Sequence, residues 1–170
     1  MSILALLPAL LAMSAPTVQK PARDLSVDQQ GDFLAKMMVV PDLNAFWAVW
    51  EKPEPPNVET TSQIGIGERV SAIVIFAGCK AAANGKCNVS VSYSMIDEDG
   101  APYGSASTTT GKAWTEAPAP GHNLLASLSA MTFELERKDK LGTYRITAKL
   151  TDEVAHKTLT VSQPVTAKTN

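Results

Sequence analysis

Few side chains in this sequence are of a type and spacing that could do chemistry. His122 and His156 are its two histidines, both in turn-rich stretches and far apart, so a metal site would need Asp or Glu to complete it. Nothing in their surroundings implies zinc, and ordinary solvated loop histidines are the simpler expectation. Asp97-Glu98-Asp99-Gly100 is an acidic cluster, but an EF-hand distributes its ligands over about twelve residues and ends in Glu, which this stretch does not supply. A tight turn is expected there instead. Gly111-Lys112-Ala113 is not a phosphate-binding loop, because Ala113 lacks the hydroxyl that holds magnesium and no glycine sits five residues before Gly111. There is no Gly-x-Ser-x-Gly nucleophile turn, and Asn88-Val89-Ser90 matches a glycosylation sequon only by chance, inside a predicted strand. No catalytic residue, metal ligand or cofactor-binding residue is therefore assigned, and no cofactor is expected.

Cys79 and Cys87 are the two cysteines. They bracket Lys80 to Lys86, a segment containing Asn84-Gly85, a strong short-range turn signal. Their separation matches neither a Cys-x-x-Cys redox pair nor a zinc cluster, so a disulfide is expected, which implies an oxidising compartment. The aromatic side chains are the remaining candidates. Trp47, Trp50 and Trp114 belong to only ten aromatic residues, and tryptophans in a domain of this size usually fill a core. An exposed Trp114, in a loop rich in Pro and Gly, would make with Tyr103 an apolar platform suited to a sugar ring or a partner's side chain.

The elements that must carry these residues read mainly as strands. Residues 69–76 alternate in part, and residues 88–96 alternate almost throughout, with Val89, Val91, Tyr93 and Met95 on one face. The two are expected to pair as a hairpin closed by the disulfide. Residues 101–105 read as a short strand, residues 108–121 as a long connection, and residues 124–135 as one or two strands. Residues 144–150 and 158–162 form a final pair. Upstream, residues 32–38 suggest one or two helical turns before Pro41, with Ser26 or Asp28 as capping candidates, and residues 45–50 fit either a strand or the end of a helix. Pro53, Pro55 and Pro56 then force an extended linker. About seven strands with no long helical periodicity predict an all-β, antiparallel sandwich over residues 45–170, preceded by an irregular or helical arm over residues 15–44.

The first fourteen residues read as a signal peptide. Residues 3–12 are an apolar run too short to span a bilayer, followed by Met13-Ser14-Ala15 and polar sequence, with cleavage expected after Ser14. No Lys or Arg precedes Lys20, so either the positive charge at that end is the terminal amine alone or the true start lies upstream. A periplasmic or secreted protein is expected, with no transmembrane segment left after cleavage. Hydrophobic residues make up 45% and charged residues 19% of the chain, which excludes a disordered polymer. A net charge of −2 and a pI near 5.7 give no basic footprint for nucleic acid.

At Asp139-Lys140-Leu141-Gly142-Thr143-Tyr144 the sequence resembles the entry to the penultimate strand of immunoglobulin-like domains, where an acidic residue, a glycine and a tyrosine precede an alternating strand. The resemblance implies that Tyr144, with Gly142, is a tyrosine-corner residue whose hydroxyl returns to nearby backbone. Residues 46–165 also resemble uncharacterised exported bacterial proteins built on one immunoglobulin-like β-sandwich, which supports the fold and brings no activity with it. Cys79 and Cys87 are too close in sequence to be the inter-sheet disulfide of antibody domains, so antibody-like function does not transfer. Two functions remain: a non-enzymatic module that binds a protein or glycan partner, or a small envelope hydrolase or metal-dependent enzyme whose site assembles only in three dimensions. A pilus-type subunit is disfavoured, because the arm lacks the alternating apolar pattern of a donor strand.

Overall fold

A computed structural model of the protein describes residues 24–104 and 109–169, without the side chains of Thr109 and His122. The expected signal peptide and the first part of the arm lie outside the described residues. Ten strands form two five-stranded sheets: β1 (Val27–Gln30), β2 (Phe33–Val40), β4 (Arg69–Ala77), β7 (Leu125–Ala126) and β8 (Met131–Glu134) in one, and β3 (Gln63–Gly65), β5 (Val89–Ile96), β6 (Thr109–Trp114), β9 (Thr143–Asp152) and β10 (Lys157–Lys168) in the other. All pairings are antiparallel except β3 with β10.

The core lies between the sheets. Phe33, Ala35, Met37 and Val39 of β2 and Val70, Ala72, Val74 and Phe76 of β4 meet Val89, Val91, Tyr93 and Met95 of β5 and Tyr144, Ile146, Ala148 and Leu150 of β9. On β5 and β9 every second residue is buried, the period expected of strands with one face in a core. The first sheet is different, because its outer face is also covered. Met38, Val40, Ile73 and Ile75 pack under Phe46 of α1 (Leu43–Trp50), the one α-helix among the described residues. Two-sided burial turns β4 into an almost continuous apolar run, and explains why its alternation is only partial in the sequence.

That outer layer also explains the elements that local sequence misassigns. Residues 33–38, read as helical turns, belong to β2: Leu, Ala, Lys and Met favour helix intrinsically, but pairing with β1 and β4 outweighs propensity. Neither Ser26 nor Asp28 caps a helix. The helix lies further on, at residues left open between strand and helix, and its N-cap is Asp42, whose carboxylate accepts from Asn44 N at 2.8 Å and Ala45 N at 3.1 Å. The sheet thus takes in residues 27–40, which the sequence reading assigned to an arm.

The disulfide forms, with Cα atoms 6.0 Å apart, but it does not close a hairpin. β4 and β5 are in different sheets and face each other across the core, so residues 78–88 form an arch between layers. The Asn-Gly signal is locally correct, since Gly85 N donates to Ala82 O at 2.9 Å, yet a turn signal does not specify which sheet the next strand joins. Residues 101–105 contribute only a bridge between Ile96 and Pro102 among the described residues. Residues 109–114, read as loop, are the edge strand β6, where Gly111 admits a close neighbour: a Cβ there would come within 2.2 Å of Ser129 Oγ.

Both open sides of the sandwich are partly closed. The edge of β10 not paired with β9 is met by β1, where Ser162 N donates to Leu25 O at 2.7 Å, Thr160 N to Asp28 Oδ2 at 2.9 Å, and Gln30 Nε2 to Thr158 O at 2.7 Å. On the opposite side Leu128 N donates to Ala113 O at 3.0 Å, tying the β7–β8 connection to β6. These bonds satisfy edge groups that would otherwise invite pairing with another chain.

Candidate functional site

The elements that build the outer layer also leave a concavity beside it. α1 covers only part of the sheet, and the chain leaves its C-terminal end through a turn and bends at residues 51–54 and then Pro55 and Pro56, prolines that do not continue the helix. Between this segment, the outer face of β2, and Asn123-Leu124 before β7 the described residues enclose an open groove of about 1000 Å3. Met38 and Ile75 line its floor. Trp50 forms one wall, half-buried, with its ring stacked on Phe46 at a centroid distance of 5.3 Å and an interplanar angle of 20°. Phe46 in turn meets Trp47 edge to face at 5.2 Å, so the indole of Trp50 is held by an aromatic stack rooted in the sheet.

Around this apolar floor stand uncharged groups able to donate and accept hydrogen bonds: Ser26, Asn57, Thr60, Asn123 and Gln163. Lys36, Lys52 and Glu54 supply the formal charges. Such a mixture of apolar surface with a few convergent polar groups is the usual make-up of a ligand site. A smaller crevice of about 280 Å3, lined by Asp24, Leu25, Arg145, Ser162 and Pro164, shares Ser26 and Gln163 with the groove and continues it around the β1 edge.

The residues singled out in the sequence lie elsewhere. Trp114 is opposite Val89 at one end of β5, half-buried against the inner core, with its indole N–H donated to Ala117 O at 2.9 Å. Tyr103 lies by the other end, where its backbone N–H donates to Met95 O at 2.9 Å. A single platform from the pair is therefore not formed. The Tyr103 hydroxyl donates to the Asp139 carboxylate, and its ring meets Tyr144 edge to face at 5.1 Å. Burial first, and then the neighbouring Asp139 carboxylate, push the Tyr103 hydroxyl well above the ordinary tyrosine range. Tyr144 donates its own hydroxyl to Lys140 O at 2.9 Å, pinning the turn that leads into β9, and Gly142 lies in that turn.

His156 is exposed in the β9–β10 turn, and the His122 side chain is outside the described part of the structure. Among the described residues no group of three or more His, Cys, Asp or Glu is placed to hold a metal ion. The acidic turn serves itself: Asp97 Oδ1 accepts from Asp99 N at 3.0 Å and Ala101 N at 2.8 Å. Sequence reasoning noticed Trp50 but not the groove. Lys36, Asn57, Asn123 and Gln163 are far apart in the chain, and only the proline cluster after Trp50 marked the place.

No family model matches the chain, and no curated protein matches its sequence. The fold is similar at low identity to a family 123 glycoside hydrolase from Clostridium perfringens, with a TM-score of 0.47, 13% identity and coverage of 80% of this chain. The chain spans 28% of that hydrolase's length. It is also similar to a Niemann-Pick type C2 protein from Japanese carpenter ant, with a TM-score of 0.41, 12% identity, and 78% of this chain and 89% of that one covered. A third similar structure is the CARDB domain of the PF1109 protein from Pyrococcus furiosus, in complex with di-metal ions, with a TM-score of 0.40, 12% identity, and 88% and 100% covered. The described residues form a β-sandwich with one short helix. Among the described residues no helix is long and apolar enough to cross a membrane.

Proposed function

We propose that this chain is an exported, non-enzymatic module of the cell envelope or secreted space, an immunoglobulin-like β-sandwich that binds a glycan in the groove beside α1. The observation that carries the reading is the juxtaposition of a stacked, half-buried Trp50 with the amides and hydroxyls of Ser26, Asn57, Thr60, Asn123 and Gln163 around one concavity. Sugars present an apolar ring face beside a fringe of hydroxyls, and an indole flanked by amides is complementary to both. The Pro-rich wall pre-organises the site, which lowers the ordering cost of binding.

The non-enzymatic reading rests on how the carboxylates are used. Asp97 and Asp152 accept from backbone amides, and Asp139 from Tyr103 and from Glu136 N. Each of these three is committed to holding a turn, and among the described residues lining the groove Glu54 is the one carboxylate, without a second beside it for acid–base work. Export is supported by the apolar run at residues 3–12 and by the disulfide. N-terminal sequencing of protein secreted from its own leader should begin at Ala15; an intact leader on the mature protein would contradict export. Titrating that mature protein against a panel of oligosaccharides by calorimetry should find a ligand, with binding reduced at least about tenfold by Trp50→Ala. Undiminished binding by that variant, at unchanged melting temperature, would contradict the site.

A further inference from the structure

The groove and the smaller crevice beyond Ser26 form one trough, and its charge differs from that of the whole chain. Lys36 on β2, Lys52 after α1 and Arg145 on β9 line it, and among the described residues none of the three takes part in an ion pair. The ion pairs of the described structure use other cations, Arg69, Lys86, Lys138 and Lys140. The anions along the trough are Glu54 and Asp24. The Asp24 carboxylate is already engaged by the Ser26 hydroxyl at 2.7 Å and the Ser26 amide at 2.9 Å. Those two bonds, and to a lesser degree the charge of Lys36, hold it below the usual carboxylate range. A chain of net charge −2 thus carries a surplus of cations along its main concavity.

Gln163 is the second observation. It stands opposite Ile146, whose side chain is fully buried, so the register turns Gln163 toward the interior between Val161 and Val165. An apolar residue is what the alternation of β10 calls for at that position. Gln163 instead lines both halves of the trough and makes no side-chain hydrogen bond within the described structure. A half-buried amide left without a protein partner at a site shared by the two cavities is a group available to a polar ligand.

Resting on the glycan reading above, we propose that the ligand is an acidic glycan, a chain of sugars carrying uronate-type carboxylates. Its ring faces pack on Trp50, its hydroxyls meet Gln163 and the neighbouring amides, and its carboxylates meet Lys36, Lys52 and Arg145. An acidic peptide would satisfy the cations but would leave the amides around the apolar floor without the hydroxyl fringe they fit.

The test uses the mature protein and three probes: oligogalacturonate, the same oligomer fully methyl-esterified, and poly-L-glutamate. Oligogalacturonate should bind at least about tenfold more tightly than its ester, and the advantage should shrink as salt screens the charges. Lys52→Gln and Arg145→Gln should each weaken oligogalacturonate by about 2–5-fold, as expected of exposed charges. Adding Lys36→Gln should bring the acidic oligomer down to the level of the ester. All three side chains are exposed, so melting temperature should stay unchanged. Equal binding of acid and ester, both lost in Trp50→Ala, would overturn the acidic ligand while leaving the glycan groove standing. Failure of both oligomers to bind would count against the groove as well. Poly-L-glutamate binding as tightly as the oligogalacturonate would overturn the sugar.

Discussion

Asp152 is fully buried, and its two oxygens are used by three backbone amides: Lys80 N at 2.7 Å on one, Val154 N at 3.0 Å and Ala155 N at 2.9 Å on the other. One side chain therefore shapes the β9–β10 turn and ties it to the residue after Cys79. Replacing it with Ala removes the acceptor of three part-buried donors, and urea unfolding should show a loss of about 2–3 kcal/mol. Asp152→Asn should lose less, because its amide oxygen still serves one side while its N–H2 cannot accept from Lys80. Equal stability of the Ala variant and the parent would contradict this accounting. Tyr93 is a different case. Its hydroxyl donates to Ser129 O at 2.9 Å inside the core, and burial pushes it up to about 12, against an ordinary value of 10.0. A raised folded value means the folded state holds the proton more tightly than the unfolded one. Its contribution is present below pH 10 and is lost as pH rises toward 12. Stability measured from pH 9 to pH 12 should fall, and the Tyr93→Phe variant should fall less steeply over that window. Tyr103 and Tyr144, also raised, contribute in the same direction and keep some slope in that variant.

At the scale of elements, the arch from β4 to β5 decides the topology. Gly78 opens it with a φ of +75°, and a Cβ there would lie 1.9 Å from Asp32 O, which is backbone and cannot step aside. Gly78→Ala should therefore destabilise by more than about 3 kcal/mol, adding a backbone clash to the left-handed penalty. Gly85 has a similar φ of +77° and nothing within 4 Å of a new Cβ, so Gly85→Ala should cost only about 1 kcal/mol. Thermal unfolding of the two variants side by side checks the difference. Reduction of the Cys79–Cys87 bond should cost roughly 2–3 kcal/mol, the value for closing so short a loop. Alternation made β5, β9 and the first part of β10 legible in the sequence, because each has one face in the core. β2 was obscured because α1 covers the outer face of its sheet, so burial on both faces removes the period and helix-favouring residues sit in a strand, and α1 was too short and apolar to be told from a strand. The arch was misread as a hairpin for a related reason: both strands present apolar faces, and only the packing of the layers shows that those faces oppose each other.

The whole molecule is a sandwich with a helix laid on one outer face, and the site is a consequence of that incomplete third layer. The proline cluster after Trp50 is its one local mark, because its side chains come from residues before β1, on β2, after α1, before β7 and on β10. Trp114 and Tyr103 drew attention in the sequence through their loop surroundings, but packing gives both structural partners at separate ends of β5. What sequence could supply was the residue type, an aromatic side chain such as Trp50, without the place it occupies. The central claim is that ligand binds beside α1. It is tested most directly by recording the indole N–H and side-chain amide NMR signals of the mature protein during titration with an oligosaccharide found to bind. The account predicts shifts at the Trp50 indole and at the Asn57, Asn123 and Gln163 amides, with the Trp114 indole unmoved. Shifts centred on Trp114, with Trp50 unchanged, would contradict it.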